Sequence, residues 1–164
     1  MVDVVDAATR SRMMAGIRSR DTRPEVQVRH ALHARGFRYR LQSGQLPGKP
    51  DIVLPKWRTV VFVHGCFWHW HGCALSKLPA SNTDFWRKKL SANKQRDSVV
   101  RERLLAEGWR IAVVWECATR GAIASAALPR ALDRLAAWIR LKNRPTTFEL
   151  GAPLVRRRTR GVHA

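Results

Sequence analysis

Acidic side chains are scarce in this chain. Its 164 residues carry 12 Asp plus Glu against 31 Lys plus Arg, a formal charge of +19. A surface so short of carboxylates gains affinity by neutralising phosphates and releasing their counterions, so a polyanion is the first expected partner. Cysteine is scarce too. Three is an odd count, unsuited to a disulfide framework, and Met1-Val2-Asp3-Val4-Val5-Asp6 does not read as a signal peptide. Reduced thiols and a cytoplasmic location are the expectation, with the cysteines serving as metal ligands or small buried side chains. Long apolar runs and strongly amphipathic basic helices are missing, which argues against a membrane as the anionic partner. Internal repeats are missing as well. An apolar fraction of 45% excludes wholesale disorder, and the length suits one domain with a real core.

Against these scarcities one stretch is dense. His64-Gly65-Cys66-Phe67-Trp68-His69-Trp70-His71-Gly72-Cys73 packs imidazoles, thiols and aromatics into ten residues. It follows Thr59-Val60-Val61-Phe62-Val63, whose β-branched residues read as a buried strand. A strand thus delivers metal-binding, acid–base and stacking groups into the loop at its C-terminal end.

The rest of the chain reads as a mixed α/β domain in the order α-β-β-β-α-β-α. Residues 1–21 form a basic arm with a short helix bearing Met13, Met14 and Ile17, and residues 22–141 form the body. Thr22-Arg23-Pro24-Glu25 is a capping-box signature opening a helix to about Arg35, stopped by Gly36. Phe37, Tyr39 and Leu41 alternate with Arg38 and Arg40, as in a half-exposed strand. Residues 51–54 and 59–63 predict a hairpin joined by Pro55 to Arg58. A helix is expected from Thr83 to Ala106 with Gly108 beyond its end, a strand at 109–115, and an amphipathic helix at about 125–141. From Lys142 the sequence turns polar and basic, and residues 142–164 read as a flexible tail containing Arg156-Arg157-Arg158-Thr159-Arg160.

Cys66, His71 and Cys73 with the distant Cys117 have the make-up of a tetrahedral Cys₃His zinc site of the closed, structural kind. The plainer alternative is an unligated pair and a buried Cys117. His64 and His69 are left over, and imidazole suits proton transfer near neutral pH. Antiparallel pairing brings Asp51 near the Val63–His64 end, where a carboxylate can hold Mg²⁺ with water and phosphate completing the shell. Glu25 and Asp97 are further acids on the flanking helices. Taken singly, each of these residues has an ordinary structural role; taken together beside a basic surface, they point to a site. Phe67 and Trp68, in a loop with polar neighbours, suit stacking on or wedging between bases. Trp86, opening the long helix, fits either packing or stacking, and Trp109 and Trp115 read as core.

The chain resembles the very short patch repair endonucleases, the thymine–guanine mismatch nicking enzymes of bacteria. The residues that carry the resemblance are Ala8-Thr-Arg-Ser11, Leu46-Pro-Gly-Lys-Pro-Asp51, Val63 to His69 with His71 and Cys73, Phe85-Trp86, Arg96-Asp97, Gly108-Trp-Arg110 and Val114-Trp-Glu-Cys117. They span roughly residues 8–140. The resemblance implies a restriction-endonuclease-like fold with a structural zinc. It also implies Mg²⁺-dependent hydrolysis of the phosphodiester 5′ of the thymine in a T·G mismatch, the lesion left by deaminated 5-methylcytosine. Asp51 would bind Mg²⁺ with the carbonyl of residue 63, and His69 would be the general base, oriented by Asp97. His64 would contact the scissile phosphate and Glu25 a metal-bound water. Phe67, Trp68 and Trp86 would wedge into the duplex while Met14 and Ile17 grip the other groove. Cys66, His71, Cys73 and Cys117 would hold zinc.

Implied partners are mismatched double-stranded DNA and, functionally, a cytosine-5 methyltransferase, with the protein monomeric and associated with the nucleoid. Two departures stand out. The family often carries Thr at 63, where Val retains the carbonyl but not a hydroxyl, and the tail here is more basic. The second acid and lysine usual in restriction-like folds are replaced by Phe62-Val63-His64. A nuclease cutting matched duplex and a non-catalytic zinc-stabilised DNA-binding protein are the competing expectations.

Overall fold

The computed structural model describes residue 9 and residues 20–41, 44–141 and 145–151, apart from the side chain of Ile123. Met14, Ile17 and the Arg156–Arg160 run lie outside these residues. The described elements are α1 (Arg23–Ala34), β1 (Arg40–Leu41), β2 (Ile52–Leu54), β3 (Thr59–His64), α2 (Thr83–Ala106), β4 (Arg110–Trp115), α3 (Ala122–Arg140) and β5 (Thr147–Leu150). They make a five-stranded sheet in the order β1-β2-β3-β4-β5. Pairing is antiparallel from β1 to β3 and parallel from β3 to β5.

Both faces of the sheet are covered. Successive β3 side chains point to opposite faces, so Val61 joins a core with Val28 and Leu32 of α1 and Leu132, Leu135 and Ile139 of α3. Its neighbours Val60 and Phe62 join a smaller cluster with Val53, Ile111 and Leu104 of α2. The helices α1 and α3 therefore lie on one face and α2 on the other. Among the described residues no helix is long and apolar enough to cross a membrane.

The start of α1 follows from its sequence. The Thr22 hydroxyl accepts from the Glu25 N–H at 3.4 Å and donates to the Glu25 carboxylate at 2.8 Å, which in turn accepts from the Asp21 N–H. This cap satisfies donors that a helix start leaves unpaired. The long α2 behaves differently. Trp86, Leu90 and Leu104 are its buried residues, and between them its inner side still reaches the body: Asn93 donates to the Trp68 carbonyl at 3.0 Å, Asp97 meets His69, and Val100 packs beside Leu104.

Three boundaries differ from the sequence reading. Of the expected strand over 37–41, Arg40 and Leu41 pair, while Phe37 sits in the core beside Leu32. The helix α3 starts at Ala122 and carries Pro129 internally. The tail expected from residue 142 does not hold for Thr147–Leu150, which add to the free edge of β4 with Leu150 buried. A polar four-residue strand gives little pattern of its own; the exposed edge of β4 supplies the ladder it completes.

Candidate functional site

The end of β3 builds the site. Because β2 begins only at Ile52, the β2-facing edge of β3 has no strand beside Val63, and the Asp51 carboxylate takes the place of one. It accepts the Val63 N–H at 2.7 Å. In a strand, one residue's N–H and C=O face the same edge, so the Val63 carbonyl also faces the Asp51 side. A cleft of about 490 Å³ opens here between the sheet and α2. Asp51, Val63, His64, His69, Asp97 and Glu25 all line it.

Burial, reinforced by the nearby Glu25 carboxylate, pushes the Asp51 carboxyl up to about 6 against the pull of the Val63 N–H, Arg29 and His69. A buried carboxylate that resists ionisation becomes anionic readily beside a divalent cation. Hard oxygen donors in a cleft with room for water suit Mg²⁺-like ions. Glu25 is 4% exposed and is held by Arg29 at 2.8 Å, while Arg29 also pairs with Asp21. Its carboxylate enters the cleft already fixed.

Across from Asp51, His64 and His69 stack with ring centroids 3.7 Å apart and planes 1° from parallel. His69 Nδ1 meets Asp97 on α2 at 2.6 Å. Burial, and then the adjacent His69, push His64 down to about 3 despite the pull of Asp97. Its imidazole is neutral at physiological pH, and its Nδ1 is buried without a hydrogen-bond partner among the described residues.

The thiols gather separately. Ligand atoms of Cys66, His71, Cys73 and Cys117 all lie within 4.8 Å of one another. Two Sγ to His71 Nδ1 distances, from Cys66 and from Cys117, are both 3.6 Å. A tetrahedral ion with bonds of about 2.3 Å to sulfur and about 2.05 Å to nitrogen has S···N edges of about 3.6 Å, so the cluster fits such an ion. Burial pushes the Cys66 thiol well above its ordinary range against the pull of the Cys117 N–H, and the Cys73 and Cys117 thiols add to the rise. Burial also lowers His71, favouring the neutral imidazole that ligates metals. Main-chain turns shape the loop: His71 N–H reaches Cys66 C=O at 3.0 Å, and Cys66 N–H reaches Glu116 at 3.3 Å.

Trp115 joins the two clusters. Its ring stacks on His71 at 4.1 Å and meets His64 edge-on at 5.3 Å. Sequence alternation placed it in the core, yet at the end of β4 it lines the cleft, and its indole N–H reaches Glu149 of β5 at 3.4 Å. The position of a strand end next to the histidine loop was the available signal.

The aromatics divide. Phe67 and Trp68 are partly exposed and pack edge-to-face at 5.1 Å. Trp86 is 9% exposed and supports both from beneath, at 5.3 and 6.2 Å. Its ring, expected at a duplex, is covered because the first turn of α2 rests on the loop. Phe85, beside it in sequence, is 57% exposed instead.

A family model described as DNA mismatch endonuclease Vsr matches residues 2–75. Against the type II nicking enzyme V.XorIIP of Xanthomonas oryzae pv. oryzae the chain is 51% identical over 117 residues, covering 71% of this chain and 86% of the relative. Against the DNA mismatch endonuclease Vsr of Escherichia coli K12 it is 48% identical over 121 residues, covering 74% and 78%. It is likewise 48% identical over 117 residues to the type II nicking enzyme V.NmeAIP of Neisseria meningitidis, covering 71% and 84%.

Proposed function

Because the chain belongs to the Vsr family of DNA mismatch endonucleases, we propose that it nicks one DNA strand 5′ of the thymine in a T·G mismatch, by Mg²⁺-dependent hydrolysis. The observation that carries this reading is the meeting of Asp51 and the His64–His69–Asp97 set in one cleft. The mixed sheet with helices on both faces is read as restriction-endonuclease-like. The cofactors proposed are Zn²⁺ on Cys66, His71, Cys73 and Cys117, and Mg²⁺ on Asp51 and the Val63 carbonyl.

Held by Asp51 and the Val63 carbonyl, Mg²⁺ would supply Lewis-acid chemistry toward the phosphate and the attacking water. The protein's own groups do the rest. Asp97 holds His69 by Nδ1, so Nε2 carries the lone pair and takes the proton of the attacking water. The imidazolium that forms is then stabilised by the Asp97 carboxylate. His64, kept neutral by burial, contacts the scissile phosphate without competing for that proton. Glu25, fixed by Thr22 and Arg29, orients water beside Asp51. Cys66, His71, Cys73 and Cys117 would hold Zn²⁺, which would tie the loop carrying His69 to the end of β4 and limit its motion relative to Asp51.

Phe67 and Trp68 provide the wedge next to the mismatch, with Trp86 bracing them and Met14 and Ile17 of the arm on the other groove. Partial unstacking costs least at a mismatched pair, which favours such sites. The substrate class ties the enzyme functionally to a cytosine-5 methyltransferase. A monomer in the cytoplasm, on nucleoid DNA, suits a single-strand cut.

Asp51→Ala and His69→Ala test the roles. Each is expected to abolish Mg²⁺-dependent nicking of a T·G duplex while DNA affinity by equilibrium titration stays near wild type. Nicking retained in both variants overturns the assignment.

A further inference from the structure

The loop ahead of Asp51 has an unusual backbone at two successive positions. Gly48 lies at φ 72° and Lys49 at φ 48°. A Cβ on Gly48 would come within 2.4 Å of a Val100 methyl carbon, so the loop is pressed against α2 and glycine is required there. Lys49 has no such excuse. A side chain with a Cβ is disfavoured in the left-handed region, and a residue before proline is pushed toward extended conformations. Glycine would adopt this backbone at lower cost. A lysine held there, two residues before Asp51, lines the cleft with Asp51, His64, His69 and Asp97. Strained residues of this kind cluster at active sites and ligand clamps.

The charges indicate its purpose. The cleft's cations are Lys49, Lys94 and Arg101. Arg101 faces Glu149 at 3.5 Å, whereas among the described residues neither lysine is seen in an ion pair. The end of β3, Phe62-Val63-His64, brings no ammonium to the phosphate. A lysine in the cleft wall without an ion-pair partner among the described residues is a positive charge available to a phosphate bound there.

We propose that Lys49 is a catalytic residue whose ammonium donates a hydrogen bond to a non-bridging oxygen of the scissile phosphodiester and stabilises the charge built up as water attacks. The inference rests on the nuclease reading given above.

The test is single-turnover nicking of a T·G duplex by wild type, Lys49→Gly and Lys49→Arg, with DNA affinity measured across salt concentrations and melting temperature alongside. Lys49→Gly is expected to melt no lower than wild type, because the backbone strain is relieved. Its rate at saturating enzyme should fall by on the order of 10²-fold, and the salt slope of binding should drop by about one. Lys49→Arg should recover most of the rate. An unchanged saturating rate in Lys49→Gly, or a loss confined to affinity, overturns the proposal while leaving the nuclease reading intact. A wild-type protein that fails to nick overturns that reading and the proposal with it.

Discussion

Asp51→Asn should make the protein more stable while disabling it. The carboxyl stands at about 6 instead of 3.8, chiefly through burial, and each pH unit of such a difference is worth about 1.4 kcal/mol. The ionised group therefore opposes folding by about 2 to 3 kcal/mol, allowing for solvent at a partly exposed side chain. The sign follows from proton binding. Below about pH 4 both folded and unfolded chains hold the proton, and nothing is lost. Between about pH 4 and 6 the unfolded chain releases it first, so stability falls as pH rises; above 6 the full penalty stands. Asparagine keeps an oxygen for the Val63 N–H but carries no charge. At pH 7.5 in Mg²⁺-free buffer it should raise the melting temperature by roughly 5–10 °C, and at pH 4 the two proteins should melt together. Mg²⁺ should then stabilise wild type and not the variant, by mass action. Equal melting at pH 7.5 in Mg²⁺-free buffer with intact zinc content would refute the burial argument, and an equal response of the two proteins to Mg²⁺ would refute the placement of the cation.

Two further outcomes are expected. Cys117→Ser should abolish stoichiometric zinc, read by atomic absorption, and lower the melting temperature by loosening the 66–73 loop from β4, because metal-binding energy in such sites is folding energy. Arg29→Met should cost about 3–5 kcal/mol in urea denaturation by leaving the Glu25 carboxylate buried and unpaired, and adding Glu25→Gln should recover part of it.

Much of the molecule was legible in the chain because short-range chemistry dictated it. Thr22 and Glu25 mark a helix start by the hydrogen bonds they make, and Gly108, at φ 76°, falls two residues past the end of α2. Residue type and spacing singled out Cys66, His71, Cys73 and Cys117, whose ligand atoms do lie together. What escaped depends on neighbours distant in sequence. Thr147–Leu150 becomes a strand because β4 offers an edge. Trp115 follows the alternation of a core strand, yet the sheet ends there and its ring faces the histidines. Trp86 and Phe85 are adjacent aromatics at a helix start, and only the packing of the loop decides that Trp86 is covered and Phe85 is not. The left-handed backbone of Lys49, a non-glycine residue directly before a proline, is announced by no local pattern.

The central claim is tested most directly by a strand-resolved nicking assay on end-labelled duplexes with a T·G mismatch and with T·A in its place, in several methyltransferase sequence contexts, with Mg²⁺ or with the metal withheld. The account predicts one Mg²⁺-dependent nick, on the thymine strand, 5′ of the mismatched base, and none in the T·A control. Cleavage of both strands in matched duplex, or binding with no cut in any context, would contradict it.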